Sequence, residues 1–178
     1  MGAVHPSDRQ LVSMWAEAIE GAVIDAGCGP GHWTNFLTKL ALATRGVDLV
    51  PEFIERARST YPAVPLTVGR LDDLDCGPGP VGGVLSWHLF IHHEPSTICI
   101  PLQDFSRVLG SGGMLLIGFF QGPIVKKFAH AAAPARWSAS DLSNELKEVG
   151  FDIVESHLRK TNGQRPQAAI FARPRLAR

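Results

Sequence analysis

Asp25, Gly27, Gly29 and Gly31 are the residues whose types and spacing most directly imply chemistry, within Val23-Ile24-Asp25-Ala26-Gly27-Cys28-Gly29-Pro30-Gly31. A short β-branched run ends in a carboxylate, and three glycines then occupy alternate positions. Glycine permits φ > 0 and leaves space where a Cβ would collide with a ligand. The pattern fits a buried strand that delivers its carboxyl end to a ligand-hugging loop, and open α/β sheets bind ligands there. A nucleotide-like compound suits such a loop. The plain alternative is a Gly-Pro turn that only joins a strand to a helix.

Asp48 is a second carboxylate, at the end of an apolar run and about 20 residues beyond the loop, where it can accept hydrogen bonds from ribose hydroxyls. It can equally serve as a helix cap or a solvated strand end. Leu49 and Val50 would border the base. His88, His92 and His93 follow a later apolar run. Histidine titrates near working pH and can act as a general base. His92 is the candidate for that role, with His88 near the substrate mouth; a structural, hydrogen-bonded histidine is the alternative for both. Zinc proteases use H-E-x-x-H. Here Glu94 lies outside the histidine pair, so no metal is expected.

Strands and helices in alternation would position these groups. Ser7 can cap a helix reaching about residue 20, with Leu11, Met14, Trp15, Ala18 and Ile19 on one face. Residues 22–25 form a first strand, and Trp33, Phe36, Leu37 and Leu40 give the stripe of the helix after the loop. Residues 44–49 form a second strand, and Pro51 opens the next helix. Residues 65–68 and 84–87 read as strands separated by a turn-rich crossing. A helix over 96–109 is expected to stop at Gly110, Gly112 and Gly113, before a strand over 114–120. Ser138 caps a helix to about residue 149. Residues 151–158 and 167–172 then make a hairpin around Lys160-Thr161-Asn162-Gly163. The alternation predicts an α/β fold, a doubly wound and mostly parallel sheet with helices on both faces.

The G-x-G-x-G loop preceded by Asp25, the strand-end Asp48 and the terminal hairpin together resemble the class I S-adenosylmethionine-dependent methyltransferases. The resemblance covers about residues 22–174. It implies a Rossmann-like seven-stranded sheet of order 3-2-1-4-5-7-6 with an antiparallel last strand. It implies S-adenosyl-L-methionine as cofactor and S-adenosyl-L-homocysteine as product. By this resemblance Asp25, Gly27, Cys28, Gly29, Gly31 and Trp33 surround the methionine part of the cofactor. Asp48 holds the ribose, Leu49 borders the adenine, Arg70 and Leu71 lie on the adenine side, and Ser86 and Trp87 stand against the cofactor at the end of the fourth strand. Many members carry an acidic residue where Arg70 stands. Arginine cannot accept a hydrogen bond, so adenine recognition would pass to the backbone near Leu71 or to Asp72. His92 and His88 are the implied catalytic residues, and residues 121–137 form the substrate-side loop. Family members often carry several N-terminal helices, whereas one precedes the first strand here, so an open substrate side is expected. The reaction would be in-line displacement at an activated methyl group, which chiefly needs alignment and exclusion of water. A base is needed only when the nucleophile carries a proton.

The 178 residues suit a single domain, with a short helical region over 1–21 and the core over 22–174. Lys plus Arg and Asp plus Glu number 17 each, so no basic surface for nucleic acid is expected. Arg159, Lys160, Arg165, Arg173, Arg175 and Arg178 read as a solvated edge and tail. The three cysteines are widely spaced, and neither a secretory leader nor a bilayer-length apolar run is visible. The expectation is a cytoplasmic monomer or homodimer acting on a small molecule, without membrane or nucleic acid. Two other readings remain. An NAD(P)-dependent Rossmann oxidoreductase requires G-x-G-x-x-G, but His32 stands three residues beyond Gly29. A catalytically silent cofactor-binding subunit requires no feature beyond those present.

Overall fold

The computed structural model describes residues 4–77, 79–89, 95–122 and 137–175. Strand β1 (Val23–Ala26) runs through the centre of the sheet, and all four of its residues are buried. It pairs in parallel with β2 (Thr44–Asp48) and with β4 (Val81–Trp87). Strand β3 (Leu66–Val68) pairs in parallel with β2, and β5 (Leu109–Phe120) in parallel with β4. The terminal hairpin supplies β6 (Phe151–Arg159) and β7 (Gln167–Pro174), and β7 runs antiparallel to both β5 and β6. The sheet has seven strands in the order β3-β2-β1-β4-β5-β7-β6, the order the family resemblance implies.

Side-chain alternation along the strands builds a core on each face. Val23, Leu85, Met114, Leu116 and Phe171 pack under α1 (Pro6–Glu17) and α2 (His32–Lys39). Ile24, Val84, Leu115, Ile117 and Ile170 pack on the opposite face with α4 (Cys99–Val108) and α5 (Ala139–Glu148). Helix α3 (Pro51–Thr60) covers the outer strands through Ile54 and Ala57, against Cys28 and Leu66.

Three local expectations need correction. His5, not Ser7, caps α1: its side chain accepts a hydrogen bond from the Ser7 N–H, and Pro6 takes the first helical position. Proline suits that position because its missing N–H has no helical partner to lose. Strand β4 begins at Val81, so Gly82 and Gly83 lie in the strand rather than in a turn. Their glycines answer to packing. A Cβ on Gly82 would lie 1.8 Å from the Glu20 carbonyl oxygen, and one on Gly83 2.7 Å from the Trp15 ring. Helix α4 ends at Val108 because Leu109 is already extended, and Gly110, Gly112 and Gly113 lie within β5, whose register against β4 shifts between Val81 and Gly83. Among the described residues, no helix is long and apolar enough to cross a membrane.

Candidate active site

The carboxyl end of β1 leads into the glycine loop. Gly27, Gly29 and Gly31 all have positive φ, at 75°, 51° and 79°. The loop satisfies its own amides. The Gly27 and Cys28 N–H groups donate to the Val47 carbonyl at 2.8 and 3.1 Å, and that of Gly31 donates to the Cys28 carbonyl at 3.0 Å. The Gly29 N–H donates to Asp48 Oδ2 at 2.8 Å. A Cβ on Gly27 would come within 2.6 Å of Leu89, but one on Gly29 would meet nothing within 4 Å. The loop thus offers open space at close approach rather than a nest of free N–H donors.

Asp48 is 9% exposed and anchors this loop. Its Oδ1 accepts from the Val50 N–H at 2.9 Å, just ahead of α3. Each carboxylate oxygen keeps further acceptor capacity. Asp25 is fully within the protein, and Thr34 Oγ1 donates to its Oδ2 at 2.6 Å. Burial pushes the Asp25 carboxyl up to about 7, against the lowering effect of the Thr34 bonds. Burial, with the nearby charges of Asp25 and Asp48, drives the Cys28 thiol well above its usual range. Cys28 is therefore a space-filler and not a nucleophile.

Two cavities lie beyond the strand ends. The first, of about 190 Å³, is walled by Leu49, Leu71, Ile100 and Pro101, with Thr97, Arg70 and Asp72 at its edge. Leu49 is 61% exposed and Ile100 46% exposed, so both apolar side chains border a slot open to solvent. Arg70 Nε donates to Asp72 Oδ1 at 2.8 Å and its Nη2 pairs with Oδ2, so these two residues face each other. Thr97, Ile100 and Pro101 were not singled out in the sequence; the available signal was an isoleucine exposed on the first turn of a helix.

The second cavity, of about 270 Å³, brings Trp33, Trp87 and His88 together with His5, Asp8, His32, Arg159 and Gln167. Trp33 and Trp87, expected at the cofactor, meet with ring centroids 5.4 Å apart. Trp87 is seated flat against Gly118, where a Cβ would lie 2.5 Å from its ring. His88 has φ 61°, a left-handed backbone that non-glycine residues adopt chiefly where surrounding structure enforces it. Its N–H donates to the Gly118 carbonyl at 2.8 Å, and its ring stacks on Phe120 at 4.5 Å. Burial lowers the His88 imidazole to about 4; the Asp8 charge opposes this and Arg159 adds to it.

Arg159 was read as part of a solvated edge, and the structure overturns that reading. Its Nη2 donates to both carboxylate oxygens of Asp8, at 2.9 and 3.0 Å, and to Gln167 Oε1 at 2.7 Å. The hairpin thereby closes one side of the cavity. A larger groove of about 490 Å³ continues between α1 and the hairpin, sharing Asp8, Trp87, Arg159 and Gln167. Ser86 is fully buried in β4, and among the described residues its Oγ has no hydrogen-bond partner.

His92, with His93 and Glu94, lies outside the described residues, as do residues 123–136 of the expected substrate-side loop. The ends of that loop are described. Gln121 bridges to Trp137, which is buried in the core, and its Oε1 accepts from the Ala139 N–H at 3.0 Å. Among the described residues, no three His, Cys, Asp or Glu side chains gather as a metal site.

The sheet order, the glycine loop and the crevice beyond the strand ends define a Rossmann-like α/β protein of the nucleotide-cofactor kind. Residues 23–113 match the methyltransferase-domain family, and the chain belongs to it. It is 25% identical over 146 residues to the uncharacterized methyltransferase sll0829 of Synechocystis, an alignment covering 76% of this chain and 69% of the relative. It is 26% identical over 147 residues to the O-methyltransferase cnsE of Penicillium expansum, covering 75% of this chain but only 52% of cnsE, about half its length. The crystal structure of magnesium protoporphyrin IX methyltransferase ChlM from Synechocystis, with bound S-adenosylhomocysteine, superposes with a TM-score of 0.74 at 17% identity, over 99% of this chain and 90% of ChlM. The protein is a class I S-adenosylmethionine-dependent methyltransferase.

Proposed function

We propose that this enzyme methylates a small-molecule acceptor held in the His88 cavity, with the cofactor lying across the glycine loop and the Leu49–Leu71–Ile100 slot. S-adenosyl-L-methionine supplies a methyl group already activated on sulfonium. The residues present suit that cofactor. The space at Gly29 admits a ligand against the backbone. Asp48 has acceptor capacity for two ribose hydroxyls beyond its two backbone bonds. The apolar walls of the first cavity suit a flat base, with Arg70 and Leu71 at its edge.

The observation that carries this reading is the internal pairing of the loop amides. A dinucleotide pyrophosphate binds free N–H groups where such a loop opens a helix. Here the N–H groups of Gly27, Cys28, Gly29 and Gly31 are already used. The protein's own task is then to hold the acceptor in line and keep water out. We read the enzyme as a cytoplasmic monomer or homodimer that acts without nucleic acid. Its zero formal charge and three unpaired cysteines support that. His88 is the candidate base within the described residues, and His92 the candidate beyond them.

Calorimetric titration with S-adenosyl-L-homocysteine, and separately with NADH, tests the cofactor assignment. Binding of the first and none of the second is expected. Binding of NADH alone would overturn the reading.

A further inference from the structure

We propose that a second copy of this chain pairs with the free edge of β6, antiparallel and about a two-fold axis through His157, and so extends the wall of the groove between α1 and the hairpin. The pairing itself is independent of the methyltransferase reading. Only the use of that groove by an acceptor rests on it.

Strand β6 ends the sheet, so among the described residues the outer row of its backbone N–H and C=O groups has no strand partner. An open edge of this kind is a template for another strand. Its register against β7 shifts between Ile153 and Glu155, and the strand closes at Arg159. The uninterrupted edge is therefore 155–159.

The pairing with β7 fixes which way each of these residues faces. Glu155 and His157 stand beside Phe171 and Ala169, which pack under α1, and Arg159 follows on the same side beside Gln167. Ser156 and Leu158 stand beside Ile170 and Ala168, on the α4 and α5 side. The Glu155 and His157 side chains are 49% and 37% exposed, and Leu158 is 53% exposed.

A two-fold axis through the sheet sets each residue opposite another on the same face, and charge selects where that axis falls. An axis at Glu155 would oppose two carboxylates. One at Ser156 would run both strands into the register shift. One at Leu158 would set His157 against Arg159 and carry both strands past their ends. With the axis at His157, every residue of 155–159 meets a partner from the same span. Glu155 then opposes the partner's Arg159, and Arg159 opposes the partner's Glu155. Opposite charges placed directly across a strand pair attract. Arg159 can serve both carboxylates, because a guanidinium carries five donors and Nη2 alone makes the bonds to Asp8 and Gln167. On the other face Ser156 opposes the partner's Leu158, and the two Leu158 side chains become diagonal neighbours within reach of each other. The segment is thus complementary to itself, as an interface about a two-fold axis requires.

The groove of about 490 Å³ is lined on its hairpin side by His157, Leu158, Arg159 and Lys160. Pairing continues the sheet beyond these residues and brings the partner's Glu155 beside Arg159. The second copy thus contributes a side chain to the entrance that leads to the His88 cavity.

Sedimentation of the whole protein without ligand is expected to show a monomer–dimer equilibrium. Monomer alone up to about 1 mM, the weak end of specific association, overturns the pairing. Glu155→Arg and Leu158→Lys change exposed side chains on opposite faces of the strand. Each is expected to raise the dissociation constant by about tenfold or more, since each acts twice in a symmetric pair. A dimer that either variant leaves at full strength overturns the proposal. His157→Cys reads the axis directly. Residues opposite each other on antiparallel strands have Cα atoms roughly 4.5–5.5 Å apart, inside the roughly 4.4–6.8 Å span of a disulfide. Mild oxidation of His157→Cys is expected to give a covalent dimer. Glu155→Cys, whose two copies would stand roughly 13 Å apart along the strands, is expected to give none. The unaltered protein, with free Cys28, Cys76 and Cys99, is also expected to give none. No cross-link in His157→Cys, or an equal one in either control, overturns the axis. Failure to bind S-adenosyl-L-homocysteine would overturn the cofactor reading instead, a distinct result.

Discussion

Arg159 and Asp8 stand 151 residues apart in the chain, yet Arg159 Nη2 lies 2.9 and 3.0 Å from the two Asp8 carboxylate oxygens. The pair ties α1 to the terminal hairpin across the mouth of the second cavity. Its side chains are 18% and 11% exposed, so neither charge is fully solvated. Asp8→Ala should destabilise the protein by about 2 kcal/mol, below the 3–5 kcal/mol typical when one partner of a fully buried pair is removed. Urea unfolding of Asp8→Ala, Arg159→Met and the double variant checks this. The double variant should lose less than the sum of the two single losses. Simple additivity would show that the pair carries no coupling.

Asp48 holds two backbone amides and is proposed to hold the ribose. Asp48→Ala should weaken S-adenosyl-L-homocysteine binding by about 1.5–3 kcal/mol, the scale of hydrogen bonds to charged groups. Calorimetry reads the affinity, and circular dichroism reports whether the variant folds. A folded variant with unchanged affinity removes Asp48 from the cofactor site.

Asp25 gives a pH signature opposite to that of an ordinary ion-paired carboxylate. Its folded pKa is raised from 3.8 to about 7, chiefly by burial. Its contribution to stability is full below the unfolded value, declines as pH rises between the two values, and levels off above about 7. Asp25→Asn removes the titration. The stability of the unaltered protein relative to this variant should therefore fall between pH 4.5 and 7 and flatten above. The range is set by the two pKa values, and urea unfolding across it gives the result. A difference independent of pH would contradict the raised pKa.

Gly118 is the seat of Trp87. A Cβ there would lie 2.5 to 2.8 Å from three atoms of the Trp87 ring, so Gly118→Ala must displace the indole. The expected cost is about 1–3 kcal/mol, the usual range for overpacking. A changed tryptophan emission spectrum should accompany it. If both stability and emission stay as they are, Trp87 does not rest on this glycine.

The alternation of strands and helices and the glycine loop were legible in the sequence because their signals are local: a β-branched run, alternating glycines, a carboxylate at the next strand end, and a closing hairpin; the sheet order came only with the family resemblance that these features carry. The second cavity was not. Asp8 and Arg159 carry no mark that they meet, because only the packing of α1 against the hairpin joins them. Gly82, Gly83, Gly110 and Gly113 misled for a different reason. Glycine is read as a turn, but Gly82 and Gly83 are small because Glu20 and Trp15 press against a strand. His5 capped α1 ahead of the more familiar Ser7 because Pro6 had already fixed the first helical position.

The first cavity draws on residues 49 to 101, while the second gathers residues 4–33, 87–88 and 159–167. On the ribosome, the lining of the slot proposed for the donor has fully emerged with residue 101, whereas the cavity proposed for the acceptor waits for the hairpin. The two forms of recognition are also separately heritable. Under the proposed assignment, a change in the hairpin reshapes the acceptor's cavity and leaves intact the residues proposed to hold the methyl donor.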